Sequence, residues 1–100
     1  MARHDVHAVP DGATGYLLDV QSDLLLDLNT RVVVPLLPEE TAPQPAVRLN
    51  PVFRIEGAPH VMVTQFMAAV PERMLGDPIG SLSKEADDIT AAIDMLTQGF

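Results

Sequence analysis

A chain of 100 residues with 14 acids against 6 bases, net charge −8 at neutral pH, is poorly built to neutralise a phosphate backbone, which takes clustered Lys and Arg. It has no cysteine, which excludes a disulfide framework and any thiolate metal site and suits a reducing cytosol. Apolar residues make up 47% of the chain and aromatic ones only 4%, so a single-domain core must be filled by Leu, Val, Ile and Met, leaving apolar surface that a homodimer would cover.

The opening run MARHDVHAVP has no continuous apolar segment of the signal-peptide kind. No stretch approaches the roughly 20 apolar residues of a membrane span, so the chain reads as soluble and cytoplasmic. The first predicted strand is 3–9, closed by the turn signal Pro10-Asp11-Gly12. A strand would send His4 and His7 to opposite faces, so they read as ordinary edge-strand residues, and no metal site is expected. A second strand covers 15–22, with Tyr16, Leu18 and Val20 on one face; Asp19 and Asp23 read as solvated or capping. The third, 31–37, follows the turn residues Asn29 and Thr30, and its Pro35 points to an edge or a bulge.

The stretch 38–46 holds three prolines in nine residues and reads as a surface loop. A hairpin is predicted over 52–66, with Glu56, Gly57, Ala58 and Pro59 as its loop and His60 solvated beside it. These runs recur at the spacing of a small barrel or sandwich. From residue 81 the period becomes helical. Ser81 or Ser83 can cap a helix over about 84–97, with Glu85, Asp87 and Asp88 near its positive end. Ala86, Ile89, Ile93 and Leu96 form the stripe facing the sheet, Asp94 lies on the wet face, and Gly99 is the stop. Met62, Met67, Met74 and Met95 read as flexible core filler. Phe100 sets a large ring beside the terminal carboxylate, either buried or offered to a partner.

No nucleophile elbow, dinucleotide fingerprint or P-loop occurs. No catalytic residue and no cofactor is expected, and the chain reads as a binding protein rather than an enzyme.

At DVQSDLLLDLNTRVVVPLLP, residues 19–38, the chain resembles the CcdB family of bacterial toxin–antitoxin modules. The features that carry the likeness are Asp19, Val20, Gln21, Ser22 and Asp23 followed by Leu24 and Leu25, then Arg31 through Leu36. The likeness resumes at LNPVFRI (49–55) with Pro51 and Val52, and runs through MVTQFMAAVP (62–71). It continues into the helix, where Leu82, Ser83, Asp88, Ile89, Ala92 and Ile93 match, and is faint over the first fifteen residues and the 39–48 loop.

The resemblance implies an SH3-like, mainly antiparallel β-barrel of the CcdB/MazF kind with a C-terminal α-helix, assembled as a homodimer. It implies a toxin that poisons DNA gyrase by trapping the cleaved-DNA complex through the enzyme's GyrA polypeptide, and that a CcdA-like antitoxin neutralises. The residues it carries over as gyrase-binding are Gln98, Gly99 and Phe100 in the tail, Asp94 on the helix, and Ser22 and Leu24 on the strand side. Three of these depart from the family pattern: Gln98 replaces a Trp, Phe100 an Ile and Asp94 an Asn. Family antitoxins usually bind through an acidic tail, which a −8 toxin would repel, so a less acidic, more Arg-rich or more apolar segment is expected here. Besides an acidic dimeric binding module with no toxicity, two alternatives remain. One is a CcdB-fold protein with a lost or altered target. The other is a MazF-like endoribonuclease recruiting Arg31, Arg48, Arg54, His60 and Asp19, although scattered bases make a poor RNA groove.

Overall fold

Alternation and turn chemistry divide the chain into seven strands and one α-helix in the computed structural model, which describes residues 2–99. The strands are β1 (Asp5–Ala8), β2 (Tyr16–Asp19), β3 (Thr30–Pro38), β4 (Val52–Ile55), β5 (Ala58–Met62), β6 (Ala68–Pro71) and β7 (Gly80–Ser81); the helix α1 is Ala86–Gln98. Every strand pairing is antiparallel, and the sheet runs β4-β5-β3-β2-β1-β7 with β6 on β3. The sheet curls into a half-barrel, as expected. Its two end strands line one small cleft, with Arg54 and Ile55 on one side and Gly80 and Ser81 on the other. Among the described residues no helix is long and apolar enough to cross a membrane.

The inner face carries the core. Val6, Leu18, Val20, Val34, Leu36, Phe53, Ile55 and Met62 come from the sheet and its flanks, and Ile89 and Ala92 close it from α1. Tyr16, Leu18 and Val20 do share that face. Of the expected helical stripe, Ile89 is fully buried and Ile93 packs against the core, but Leu96 is 40% exposed. The helix has left the sheet by its last turn, so that residue is surface rather than core. Met62 and Met67 fill the core as expected, whereas Met74 stands exposed in a 3-10 turn between β6 and β7.

Pro35 is not at an edge. It lies in β3, the strand with the most partners, opposite Leu17 of β2. On its other flank β5 pairs only with 36–38 and β6 only with 30–33. Its missing N–H therefore falls where one partner strand hands over to the next, and its carbonyl accepts from Val63 N at 3.0 Å. The hairpin is tighter than expected: Ile55 pairs with Ala58, so the loop is Glu56-Gly57 alone. Both residues have positive φ, 50° and 84°, as a type I′ turn requires, and Gly at the second position adopts it without strain.

The first strand is also shorter than 3–9, because Arg3 and His4 lie in a turn, with His4 at φ 74°. β1 is flanked by both β2 and β7, so His7 is no edge residue. It is fully buried, and its Nδ1 donates to Gly76 O at 2.8 Å. His60 is buried rather than solvated. Its Nδ1 donates to Ala58 O at 2.9 Å, and its ring meets Tyr16 edge-on at 5.1 Å. β6 and β7 escape a sequence reading because Ala-Ala-Val-Pro has little β propensity and a two-residue strand has no period to detect. Neither serine caps the helix: Ser81 Oγ accepts from Ser83 N at 3.2 Å just ahead of a 3-10 turn, Ser83–Glu85, and both that turn and α1 begin with no side-chain cap.

The outer face of β2 and β3 is partly buried as well, and it encloses one charged pair. Asp19 is neither solvated nor a simple cap: it is fully enclosed, with Arg31 Nε and Nη2 both 2.8 Å from its Oδ2. Val33 sits opposite Asp19, and Arg31 is two residues along β3 on the same face, a diagonal neighbour that a long side chain reaches. Removing one partner of such a pair strands a buried charge. Arg31→Met is therefore expected to lower the unfolding free energy by about 3–5 kcal/mol, and the double variant with Asp19→Leu by clearly less. Urea denaturation checks this; equal losses in the single and double variants would refute it.

Candidate binding surface

The motif Asp19-Val20-Gln21-Ser22-Asp23 folds so that each of its polar side chains makes a hydrogen bond within the chain. Asp19 Oδ1 accepts from Gln21 N at 3.0 Å. Gln21 Oε1 accepts from Val32 N at 3.1 Å, and its Nε2 donates to Leu25 O at 3.1 Å. Ser22 Oγ accepts from Leu24 N at 3.2 Å, capping a 3-10 turn over Asp23–Leu25. Asp23 Oδ1 accepts from Arg3 N at 2.8 Å, tying the turn to the start of the chain. Asp23 is thus exposed, one of the two roles expected for it, while the cap of the turn is Ser22.

With the polar groups occupied, the leucines are left outside. Leu24 is 94% exposed, and Leu25, Leu26 and Leu28 are about half exposed. Four large aliphatics within five residues make an apolar surface that a monomer gains nothing by showing, which makes it the candidate contact surface. Ser22 and Leu24 thus sit together but differ in kind: the serine hydroxyl is spent on the cap, and the leucine is free.

At the other end of the chain, Gly99 terminates α1 in the left-handed region at φ 83°. Its N–H is shared between Asp94 O at 3.2 Å and Met95 O at 3.1 Å. A residue with a Cβ would be strained at that φ, so glycine is what lets the chain turn off the helix axis here. Gln98 Nε2 lies 3.5 Å from Asp94 Oδ1, at the limit of a hydrogen bond, and Gln98 and Gly99 are exposed. Asp94 is partly covered rather than fully wet. Asp94, Gln98 and Gly99 form one local unit; Phe100 lies outside the described residues. The helix packs on the 3-10 turns Thr64–Phe66 and Ser83–Glu85, whereas the leucine turn hangs from β3 and the chain start. The two groups stand on separate supports.

A model of the family described as CcdB protein matches residues 3–99. The chain belongs to the CcdB family. Membership points to a toxin of the toxin–antitoxin kind, and the match takes in the first strand and the 39–48 loop, where the likeness is faint to the eye. In this CcdB-family chain the residues that a ribonuclease would recruit are not gathered. Asp19 and Arg31 are locked together and buried, while His60 pairs with Pro38 at the opposite end of β3. Arg54 Nη1 donates to Gly57 O at 2.8 Å within its own hairpin, and Arg48 lies exposed in a loop. Among the described residues no group of three His, Asp or Glu could hold a metal ion.

Sequence reading missed Gln21 and Arg31 as the buried supports of this surface. The signal for Arg31 was an acid and a base of the same parity on adjacent predicted strands. Gln21 gave none, because an amide in a strand-end position is ordinarily solvated.

His4 adjoins the turn. Its N donates to Asp19 O at 2.7 Å, its carbonyl accepts from Leu82 N at 2.8 Å, and its Nε2 is enclosed without a hydrogen-bond partner. Burial, reinforced by Arg3, pulls its pKa below the usual 6.5 against the opposing carboxylates of Asp23, Asp19 and Asp5. The unfolded chain therefore takes up this proton first as pH falls, and stability is lost from the ordinary histidine range downward until the folded imidazole also charges. His4→Asn keeps a residue that tolerates positive φ and removes the effect. Its urea midpoint should fall less than the native one between about pH 7.5 and about pH 5; equal falls would show that His4 does not contribute.

Proposed function

We propose that this chain is the toxin of a type II toxin–antitoxin module. It acts in the cytoplasm as a homodimer that binds the GyrA polypeptide of DNA gyrase, holds the cleaved-DNA complex, and is released by a CcdA-like antitoxin. The observation that carries the reading is Leu24, thrust almost wholly into solvent from a turn whose polar side chains bond within the chain, in a chain of this family. Asp94, Gln98, Gly99 and Phe100 supply the second contact, and Ser22 acts by shaping the turn. No bond is made or broken by the toxin; it acts by binding alone.

Gln98 sets the strength. An aromatic anchor buried in a partner is worth about 2 kcal/mol, or roughly 30-fold in affinity, and a glutamine brings less area and a desolvation cost. The native protein is expected to trap gyrase cleavage complexes at high concentration, and Gln98→Trp to do so at a concentration lower by about 30-fold. Leu24→Asp should abolish trapping while leaving the fold intact. A supercoiling and DNA-cleavage assay with purified gyrase reads all three. Trapping by the tryptophan variant alone would mean a competent scaffold with an altered target; none from any folded form would sink the gyrase reading.

Charge bears on the antitoxin. The leucine turn is rimmed by Asp23 and Asp27, and Asp87 and Asp88 are exposed on α1. An acidic segment approaching either would be repelled, more so at low salt. The neutralising segment is therefore Arg-rich or apolar. A reading frame beside the toxin's that encodes a strongly acidic tail, and whose product still neutralises, would contradict this.

A further inference from the structure

The last backbone bond seen between the strands beyond β2 is Val20 N to Val32 O at 3.0 Å. Beyond it the Gln21 side chain replaces the ladder. Its carbonyl oxygen takes the N–H of Val32, and its amide nitrogen grips the carbonyl of Leu25 at the end of the 3-10 turn. The orientation of the amide is fixed by these partners, since an N–H needs an acceptor and a carbonyl a donor. Gln21 is only 6% exposed, so it is a link between strand and turn and not a surface group.

The turn's other side-chain ties, Ser22 Oγ accepting from Leu24 N and Asp23 Oδ1 accepting from Arg3 N, are both exposed to water, and the Gln21 bond is the enclosed one. Three residues of 3-10 helix have weak internal bonding, here Leu25 N to Ser22 O at 3.0 Å and Leu28 N to Leu25 O at 3.2 Å. Leu24 makes almost no contact with its own chain. We infer that Gln21 is the positioning residue of the target contact: it holds the turn, through Leu25 O, in the one conformation that presents Leu24. This rests on the proposed gyrase reading for its target, and on the geometry alone for the tether.

Gln21→Glu separates the two bonds. A carboxylate keeps an acceptor for Val32 N but sets an oxygen against Leu25 O, so the strand-side bond survives and the turn-side bond is lost. Amide hydrogen exchange should quicken by about tenfold at Leu25 and Leu28, the order of one lost hydrogen bond, while Val32 stays protected. Gyrase affinity should fall by about tenfold in the native background and by less than about twofold once Leu24→Ala is present, because the tether acts through that side chain.

Unchanged exchange at Leu25 and Leu28, or equal affinity losses in both backgrounds, would overturn the assignment. Should the Glu variant fail to fold, Gln21→Met, of similar length and without either bond, carries the same comparison at Leu25 and Leu28, with Val32 now losing protection too. A native protein that does not bind gyrase would sink the proposed target alone, and the exchange measurements would then decide the role of Gln21.

Discussion

The ion pair between Asp19 and Arg31 is the constraint around which the outer face is organised. Two charges fully withdrawn from water are costly, and mutual attraction compensates only when geometry is good and the remaining polar atoms find partners. Here Arg31 Nε donates to one carboxylate oxygen, Nη2 stands 2.8 Å from that same oxygen but makes no hydrogen bond of its own, and the other oxygen accepts from Gln21 N. That second bond links the pair to the binding surface: it bends the chain at Gln21, which lets Ser22 cap the next turn. The motif Asp-Val-Gln-Ser-Asp is thus a scaffold. Two of its polar letters, Asp19 and Gln21, are consumed inside the molecule, and the plain leucines after them face outward.

This inversion explains which parts of the fold were legible. The inner faces of β2 and β3, the place of the helix and its glycine stop follow from alternation, period and turn chemistry, which report local structure. Asp19, His7 and His60 did not, because a polar residue in a strand reads as solvent-facing unless the covering element is known. His7 is covered by the segment around Leu75 and Gly76, whose sequence shows no regular pattern. His60 is covered by a ring from β2 that only the curl of the sheet brings near. Pro35 failed for a related reason: its tolerance depends on where β5 stops and β6 starts, a fact of tertiary register. The site was legible through resemblance alone, since nothing in the spacing of Leu24 or Gln98 distinguishes a contact from ordinary surface.

Electrostatics narrows the partner from another direction. The Asp19–Arg31 pair cancels within itself, so the whole net charge of −8 lies elsewhere on the chain. Arg54 is turned onto its own hairpin carbonyl, which leaves few free cations to balance the exposed carboxylates. Such a surface disfavours nucleic acid and acidic peptides alike and favours partners that bring their own positive charge to the apolar patch.

The two halves of the proposed surface are supported so differently that they are free to diverge separately. The leucine turn is tied through Gln21 and Asp19 into the buried ion pair, so changes there disturb the interior and carry a stability cost. The helix end is not. The last helical residue enclosed in the core is Ala92, and Gln98 and Gly99 extend past it into solvent, bonded only to their own last turn. On the proposed function, a glutamine in place of a tryptophan at position 98 alters target contact and leaves the core untouched. That departure falls where folding exerts little restraint, so under the same proposal the tail can change targets while the scaffold that presents Leu24 stays the same.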